Sequence, residues 1–317
     1  MEILVVSDLH GKTPGELESI SKTFPGPVVF LGDIVGTSHL EELQRLFYNG
    51  VYNPIKKLLQ DNPNPGFKET SLFPIGYGRV LYDGYLNLVE YLNKLNEFRA
   101  EPFTRFVHNI TRYVHFGHFV SNLPLAIRQV LQKDMEDNAQ QTINLMTNFT
   151  DRGQDVFVIE GNWDARTPLD FFSIAECKAI PVNQRSFYFK SFLLKKNPKV
   201  HYFDKVGTAK FKDNVFVFWP FDCATTHTPV PEIYREDVKG KVVLFSHGQA
   251  DWQSIKGNTP MTAEGAKVQE VMTQVISDLK PDLIVHGHLH DDKPDYLYDG
   301  IIPVIYCPLR SVRTLII

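Results

Sequence analysis

Cysteine is scarce: Cys177, Cys223 and Cys307 are the only three in the chain. An odd, widely spaced set offers neither zinc-ribbon pairs nor a redox dithiol, so reduced thiols in a cytoplasmic protein are the expectation. Long apolar runs are missing too. No stretch approaches the ~18 uninterrupted apolar residues of a membrane span. The run Ile3 to Val6 has no basic segment before it and is too short for a signal peptide. A large charge of either sign is also absent. The net charge of -4 gives no bulk attraction to a polyanion, so nucleic acid is a partner that only a local basic patch would support. Hydrophobic residues, at 43% of 317, are plentiful enough to fill one large core or two ordinary ones.

Polar residues capable of binding metal sit at the ends of apolar runs. Near the C-terminus, Pro281-Asp-Leu-Ile-Val-His286-Gly-His288-Leu-His290 reads as a short buried strand whose end carries three histidines at alternate positions. In an extended chain alternate side chains point the same way, so two neighbours of the three could present imidazole to one ion. Alone, such a pattern more often marks satisfied surface or core histidines. Four other runs repeat the form. Glu2 to Ser7 ends in Asp8-Leu-His10, and Pro27 to Leu31 ends in Gly32-Asp33. Asp155 to Glu160 ends in Gly161-Asn162-Trp163-Asp164, and Lys241 to Ser246 ends in His247-Gly248. The carboxyl edge of the strands is where open sheets bind ligands, and glycines 32, 161, 248 and 287 permit close backbone approach there.

Between Asp33 and Asp155 the character changes from strand to helix. His39 to Phe47 and Pro54 to Asp61 carry helical periods, Asn62-Pro-Asn-Pro-Gly66 ends them, and Phe67 to Gly78 reads as a loop. A helix follows with a stripe from Val80 to Leu95, then one from Pro102 to about Asn122 and another from Pro124 to Phe149. This predicts a helical insertion over residues 39–150, either capping a site or joining two copies, within a core of residues 1–38 and 151–317. His108, His115 and His118 lie on the third helix. With no acidic residue at ligand spacing, packing in an aromatic helix is the favoured reading. Beyond Asp155, strands are predicted at 155–160, 199–203, 206–211, 214–219, 241–246, 282–286, 303–307 and 313–317, interrupted by a helix from Thr262 to Leu279. So many strands with so few helices imply an α+β fold of two packed β-sheets flanked by helices. Lys190, Lys195, Lys196, Lys199, Lys205, Lys210 and Lys212 lie among aromatic residues. Such interleaving can grip single strands, but lysine on the outer face of edge hairpins is favoured.

The strand-end groups are too many for one tetrahedral ion. Their mix of nitrogen and oxygen suits Mn, Fe, Co, Ni or Zn better than Mg or Ca. A carboxylate can bridge two such ions at about 3.5–4 Å, the arrangement that clamps attacking and leaving oxygens in phosphoryl hydrolysis. Asp-x-His, Gly-Asp, Gly-Asn-x-Asp, His-Gly and Gly-His-x-His, in that order, resemble the calcineurin-like metallophosphoesterases over residues 1–38 and 151–317. The resemblance implies that family's α-β-β-α sandwich and a dinuclear site. In it Asp8, His10 and His290 hold one ion, Asn162, His247 and His288 the other, and Asp33 bridges them. It also implies hydrolysis of phosphate mono- or diesters by metal-bound hydroxide, that is, phosphatase or phosphodiesterase activity on a small phosphoester. His286 has no counterpart among those ligands and, like Asp164, is expected beside them. Trp163 stands where the family most often has a histidine, and indole donates a hydrogen bond but gives up no proton as an acid. Two other readings stay open: a nuclease of the same family, and an interaction scaffold that retains the metals without turnover.

Overall fold

The computed structural model describes residues 1–61, 75–96, 119–120, 122–165, 189–226, 228–257, 261, 263–290 and 293–317. Eleven strands are found among them: β1 (Glu2–Ser7), β2 (Val28–Phe30), β3 (Val156–Ile159), β4 (His201–Phe203), β5 (Gly207–Phe211), β6 (Asn214–Trp219), β7 (Val242–Ser246), β8 (Leu283–His286), β9 (Tyr296–Tyr298), β10 (Ile302–Tyr306) and β11 (Ser311–Ile316). They form two mixed sheets, ordered β11-β1-β2-β3-β4 and β5-β6-β7-β8-β10-β9. In the first sheet β1 to β4 run parallel and β11 pairs antiparallel to β1. In the second, β6, β7, β8 and β10 run parallel between the antiparallel edges β5 and β9.

Strand periodicity explains the packing. Ile3, Val5, Val29, Leu31, Phe157 and Ile159 of the first sheet share one core with Phe216, Phe218, Val243, Phe245, Leu283 and Val285 of the second. The intervening residues Leu4, Val6, Val28, Phe30, Val156 and Val158 are also buried. A strand covered on both faces needs an unbroken apolar run rather than an alternating one, which is why these segments stand out in the sequence. The fold is therefore α+β, with two packed sheets flanked by helices.

The chain divides into two compact units, one of Met1–Gly36, Asp137–Arg166 and Phe187–Ile317, the other of Thr37–Glu136 and Thr167–Ser186. All eleven strands belong to the first. In the second, Thr37 caps the helix Ser38–Arg45 by accepting from the backbone of His39 and Leu40, as a residue of its type does at a helix start. That helix runs on through a π-helical turn, Leu46–Tyr52, into Asn53–Asp61. Gly84 lies so close to the Gly50 backbone that a Cβ there would overlap the Gly50 carbonyl. The next helix spans Ile75–Leu95, and a further one, Leu125–Asp151, passes from the second unit into the first at Asp137. Among the described residues, no helix is long and apolar enough to cross a membrane.

Three local expectations need correction. The segment predicted as a loop to Gly78 is already helical from Ile75. The long stripe carries the helix back through Gly76 and Gly78, each costing only about 1 kcal/mol against alanine. Lys190, Lys195 and Lys196 lie on a helix, Phe189–Lys196, not on a hairpin. Its buried Phe189 and Leu193 are spaced i, i+4, a period too short-lived to register against the flanking aromatics. Strand β9 was not predicted; three residues carry too little pattern to reveal an edge strand. Most of the helix predicted at Pro102 to Asn122, with His108, His115 and His118, lies outside the described residues.

Candidate metal centre

The C-terminal ends of β1, β2 and β3 in the first sheet and of β7 and β8 in the second come together, and the loops leaving them hold the ligand-type residues. Asp8 and His10 follow β1, Asp33 follows β2, Asn162 follows β3, His247 follows β7, and His288 and His290 follow β8. The β1 and β2 loops are stitched together by backbone bonds. Asp8 N donates to Gly32 O at 3.2 Å, His10 N to Asp33 O at 2.8 Å and Gly11 N to Ile34 O at 2.9 Å. Nine described non-glycine residues have left-handed backbone angles, and five of them are Asp8, His10, Asp33, His288 and His290. That conformation costs of order 1–3 kcal/mol per residue and persists only where the surroundings enforce it.

It also overturns the alternating-histidine expectation. β8 stops at His286, and His288 (φ 78°) and His290 (φ 53°) turn out of extended geometry. The three rings therefore do not share a face. His286, fully buried, places Nε2 3.0 Å from Tyr296 Oη and packs against Tyr306. The Leu289 side chain enters a small cluster with Trp252, Ile255 and Tyr306. Lys256 donates to the Leu289 carbonyl at 3.0 Å. Between them these two contacts hold the turn on which His288 and His290 sit.

Coordinating atoms form two groups that share Asp33. Those of Asp8, His10, Asp33 and His290 lie within 4.8 Å of one another, as do those of Asp33, His247 and His288. In the first group His10 Nε2 and His290 Nε2 face each other at 3.0 Å, and His290 Nε2 is 3.4 Å from Asp8 Oδ1. Asp8 Oδ2 accepts from the Ser7 hydroxyl, and the carboxylate also accepts from the His288 backbone at 3.1–3.2 Å. Asp33 Oδ2 lies 3.6 Å from His10 Nε2 and 3.4 Å from His247 Nε2, between the two groups. Asp33 Oδ1 accepts from the Trp163 backbone at 2.8 Å. In the second group His247 Nε2 is 3.1 Å from Asn162 Oδ1 and 3.2 Å from His288 Nδ1.

Whether these residues suit a cation is decided by His247. Its Nδ1 lies 2.7 Å from the Leu31 carbonyl, which can only accept, so Nδ1 carries the proton. In the neutral ring Nε2 is then a lone pair facing a carboxylate oxygen, an amide oxygen and another imidazole nitrogen. Such a cluster is held together only by positive charge at its centre, and the donor set fits divalent metal. The ionisation of the metal-free groups says the same. Burial opposes a proton on His247, yet the charge and hydrogen bond of Asp33, then Asp8 and the Leu31 carbonyl, raise it to about 9. Burial likewise opposes charge on Asp33 and Asp8, but the surrounding histidines hold both carboxyls below their usual range. His288 is lowered to about 3 by burial and then by the charge on His247.

Asp164 braces the centre from behind. Its Oδ1 accepts from Ile34 and Val35 at 3.0 Å each, and its Oδ2 from Gly161 at 3.1 Å. One buried carboxylate thus ties the β2 loop to the β3 loop. Burial, then the charge of Asp33, pushes Asp164 up to about 7 despite those donors. Gly161 and Gly287 have no room for a side chain: a Cβ at 161 would overlap Asp33 N and Oδ1, and one at 287 would overlap Ser7 Oγ and Asp8 Oδ2. Trp163 is half-buried, its ring 5.0 Å from that of His10 at 84°. Ser7, the Leu31 carbonyl, Lys256 and Phe221 escaped sequence reasoning. Ser7 could have been found as the hydroxyl beside Asp8; a backbone carbonyl leaves no signal.

A family model of calcineurin-like phosphoesterases matches residues 113–292. No curated protein matches the sequence. A putative 5'-nucleotidase from Staphylococcus aureus, solved in complex with alpha-ketoglutarate, is similar at 11% identity with a TM-score of 0.41, covering 99% of this chain and 50% of its own. The chain thus spans about half the length of that solved protein. The matched stretch contains Asn162, His247, His288 and His290, while Asp8, His10 and Asp33 are brought beside them by the pairing of β1 with β2 and of β2 with β3.

Proposed function

The chain belongs to the calcineurin-like phosphoesterase family, whose members are metal-dependent, and on that premise we propose a dinuclear centre that hydrolyses small phosphate mono- or diesters. The observation that carries this reading is Asp33 Oδ2 at 3.6 Å from His10 and 3.4 Å from His247, one carboxylate oxygen facing both groups. Asp8, His10 and His290 would hold one ion, Asn162, His247 and His288 the other, with Asp33 common to both. Two divalent ions of the Mn, Fe, Co, Ni or Zn type, when bound, supply an acidified water and charge to offset the phosphoryl oxygens.

The chain's own groups do the rest. The Leu31 carbonyl keeps the His247 proton on Nδ1 and directs Nε2 inward. The Trp163 backbone N–H and the Asp164 bridge fix Asp33 and the β3 loop, so that little reorganisation is needed on substrate binding. Trp163 supplies no acid, so an alkoxide must leave without a proton from that position. General acid catalysis contributes about 10²–10⁴-fold, hence esters with good leaving groups are the better substrates. A nuclease is less favoured: Lys190 and Lys199 of the basic stretch are paired with Asp204 and Asp151. Residues 39–150 would restrict the substrate or join two copies.

Metal-stripped protein resupplied in turn with Mn, Ni, Co, Zn and Mg, and given p-nitrophenyl phosphate and the bis-p-nitrophenyl diester, tests the proposal. Ion-dependent turnover is expected. Two bound ions with no turnover on either ester would favour the scaffold instead.

A further inference from the structure

The second group of ligand-type residues has a neighbour that contributes no ligand atom. Phe221 opens the short helix Phe221–Ala224 after β6 and is 1% exposed. Its ring centroid lies 4.7 Å from that of His288 at 45° and 5.6 Å from that of His247 at 74°. The two imidazoles lie 5.0 Å apart at 64°, so the three rings pack on one another as a triangle with Phe221 against both imidazoles. Phe221 is also tied to the third member of the group. Its backbone N donates to the Glu160 carbonyl at 3.0 Å, at the end of β3 and two residues before Asn162. Pro220 ahead of it has φ -64°, the angle its ring enforces, which fixes the direction in which the helix leaves the strand.

His288 needs such support. Its backbone is left-handed at φ 78°, and its ring makes one polar contact on this side, Nδ1 to His247 Nε2. An imidazole on a strained backbone can rotate about its side-chain bonds unless packing prevents it. We propose that Phe221 is a positioning residue for the second ion: its ring is the wall that holds the His288 imidazole with Nδ1 directed at His247, in the group that includes Asp33. This rests on the two-ion reading above and extends it to a residue outside the ligand set. Groups that orient metal ligands typically change affinity 10–100-fold when removed.

Mn and Zn titrations of metal-stripped protein, followed by calorimetry with elemental analysis of the loaded chains, separate the possibilities. Wild type is expected to take two ions. Phe221→Leu keeps bulk but loses the flat wall, and Phe221→Ala loses both. Each is expected to weaken one ion about 10–100-fold while the other stays within about threefold. Phe216→Leu, an equal truncation in the core between the sheets, is the control and is expected to leave both affinities unchanged. Where Phe221→Ala fails to fold, Phe221→Leu carries the test. Two wild-type-like affinities in Phe221→Leu would overturn the proposal, as would equal weakening of both ions in Phe221→Leu and Phe216→Leu. A wild type that takes fewer than two ions would overturn the two-ion reading itself, and the role of Phe221 with it.

Discussion

Stripping the metal should make the protein's stability fall with pH in a window set by His247. Its free value of 6.5 is raised to about 9 in the folded chain: burial works against the proton, and the charge of Asp33 outweighs it. The folded state therefore binds the proton more tightly than the unfolded state. The stabilisation is fully present below pH 6.5 and is lost as pH rises through 9. A shift of this size corresponds to roughly 3 kcal/mol, at about 1.4 kcal/mol per pH unit. His247 is 0% exposed, so solvent does not screen this interaction. Urea unfolding of chelator-treated protein at pH 7.5, 8, 8.5 and 9, above the range in which Asp164 and the depressed histidines His286 and His288 change stability, should show that decline. His247→Gln, which carries no titrating ring, should flatten it. Saturating metal should abolish or reverse it, because ions and protons compete for the same nitrogen. A flat profile in wild type, or the same slope in His247→Gln, would refute the argument that this cluster is assembled around positive charge.

Gly161→Ala should cost several kcal/mol, or displace Asp33, because the new Cβ overlaps Asp33 N and Oδ1; loss of both bound ions by elemental analysis would register it, and wild-type ion content would count against it. Asp164→Ala leaves three buried backbone donors without their acceptor, at about 1–3 kcal/mol each before water enters the space. A urea midpoint unchanged from wild type at pH 6 would contradict that assignment. Trp163→His should raise turnover of alkyl phosphoesters by about 10-fold or more while changing nitrophenyl esters little; equal effects on both would show that the leaving group gains no proton there.

The sandwich was legible in the sequence because its strands are buried on both faces. Residues such as Val156 to Ile159 had to be apolar throughout, and their runs end where the chemistry begins. The types of residue at those ends were legible for the same reason. Their directions were not. The left-handed backbone at His288 and His290 goes with Leu289 packed on Trp252, Ile255 and Tyr306 and with Lys256, 33 residues away, bonded to the Leu289 carbonyl. An aromatic residue such as Phe221 reads as core wherever it stands, and only its approach to two imidazoles distinguishes it. The helix Phe189–Lys196 was hidden by the strand-like aromatics around it, and the weak pattern of β9 by its length.

Both halves of the proposed centre depend on Asp33 being shared. Metal-reconstituted wild type and Asp33→Asn should be compared for ions bound per chain and for hydrolysis of p-nitrophenyl phosphate and its bis-ester. Two ions and ion-dependent turnover are expected in wild type, with weakening of both ions and loss of turnover in the variant. A variant that keeps two tightly bound ions and hydrolyses either ester at the wild-type rate would contradict that dependence.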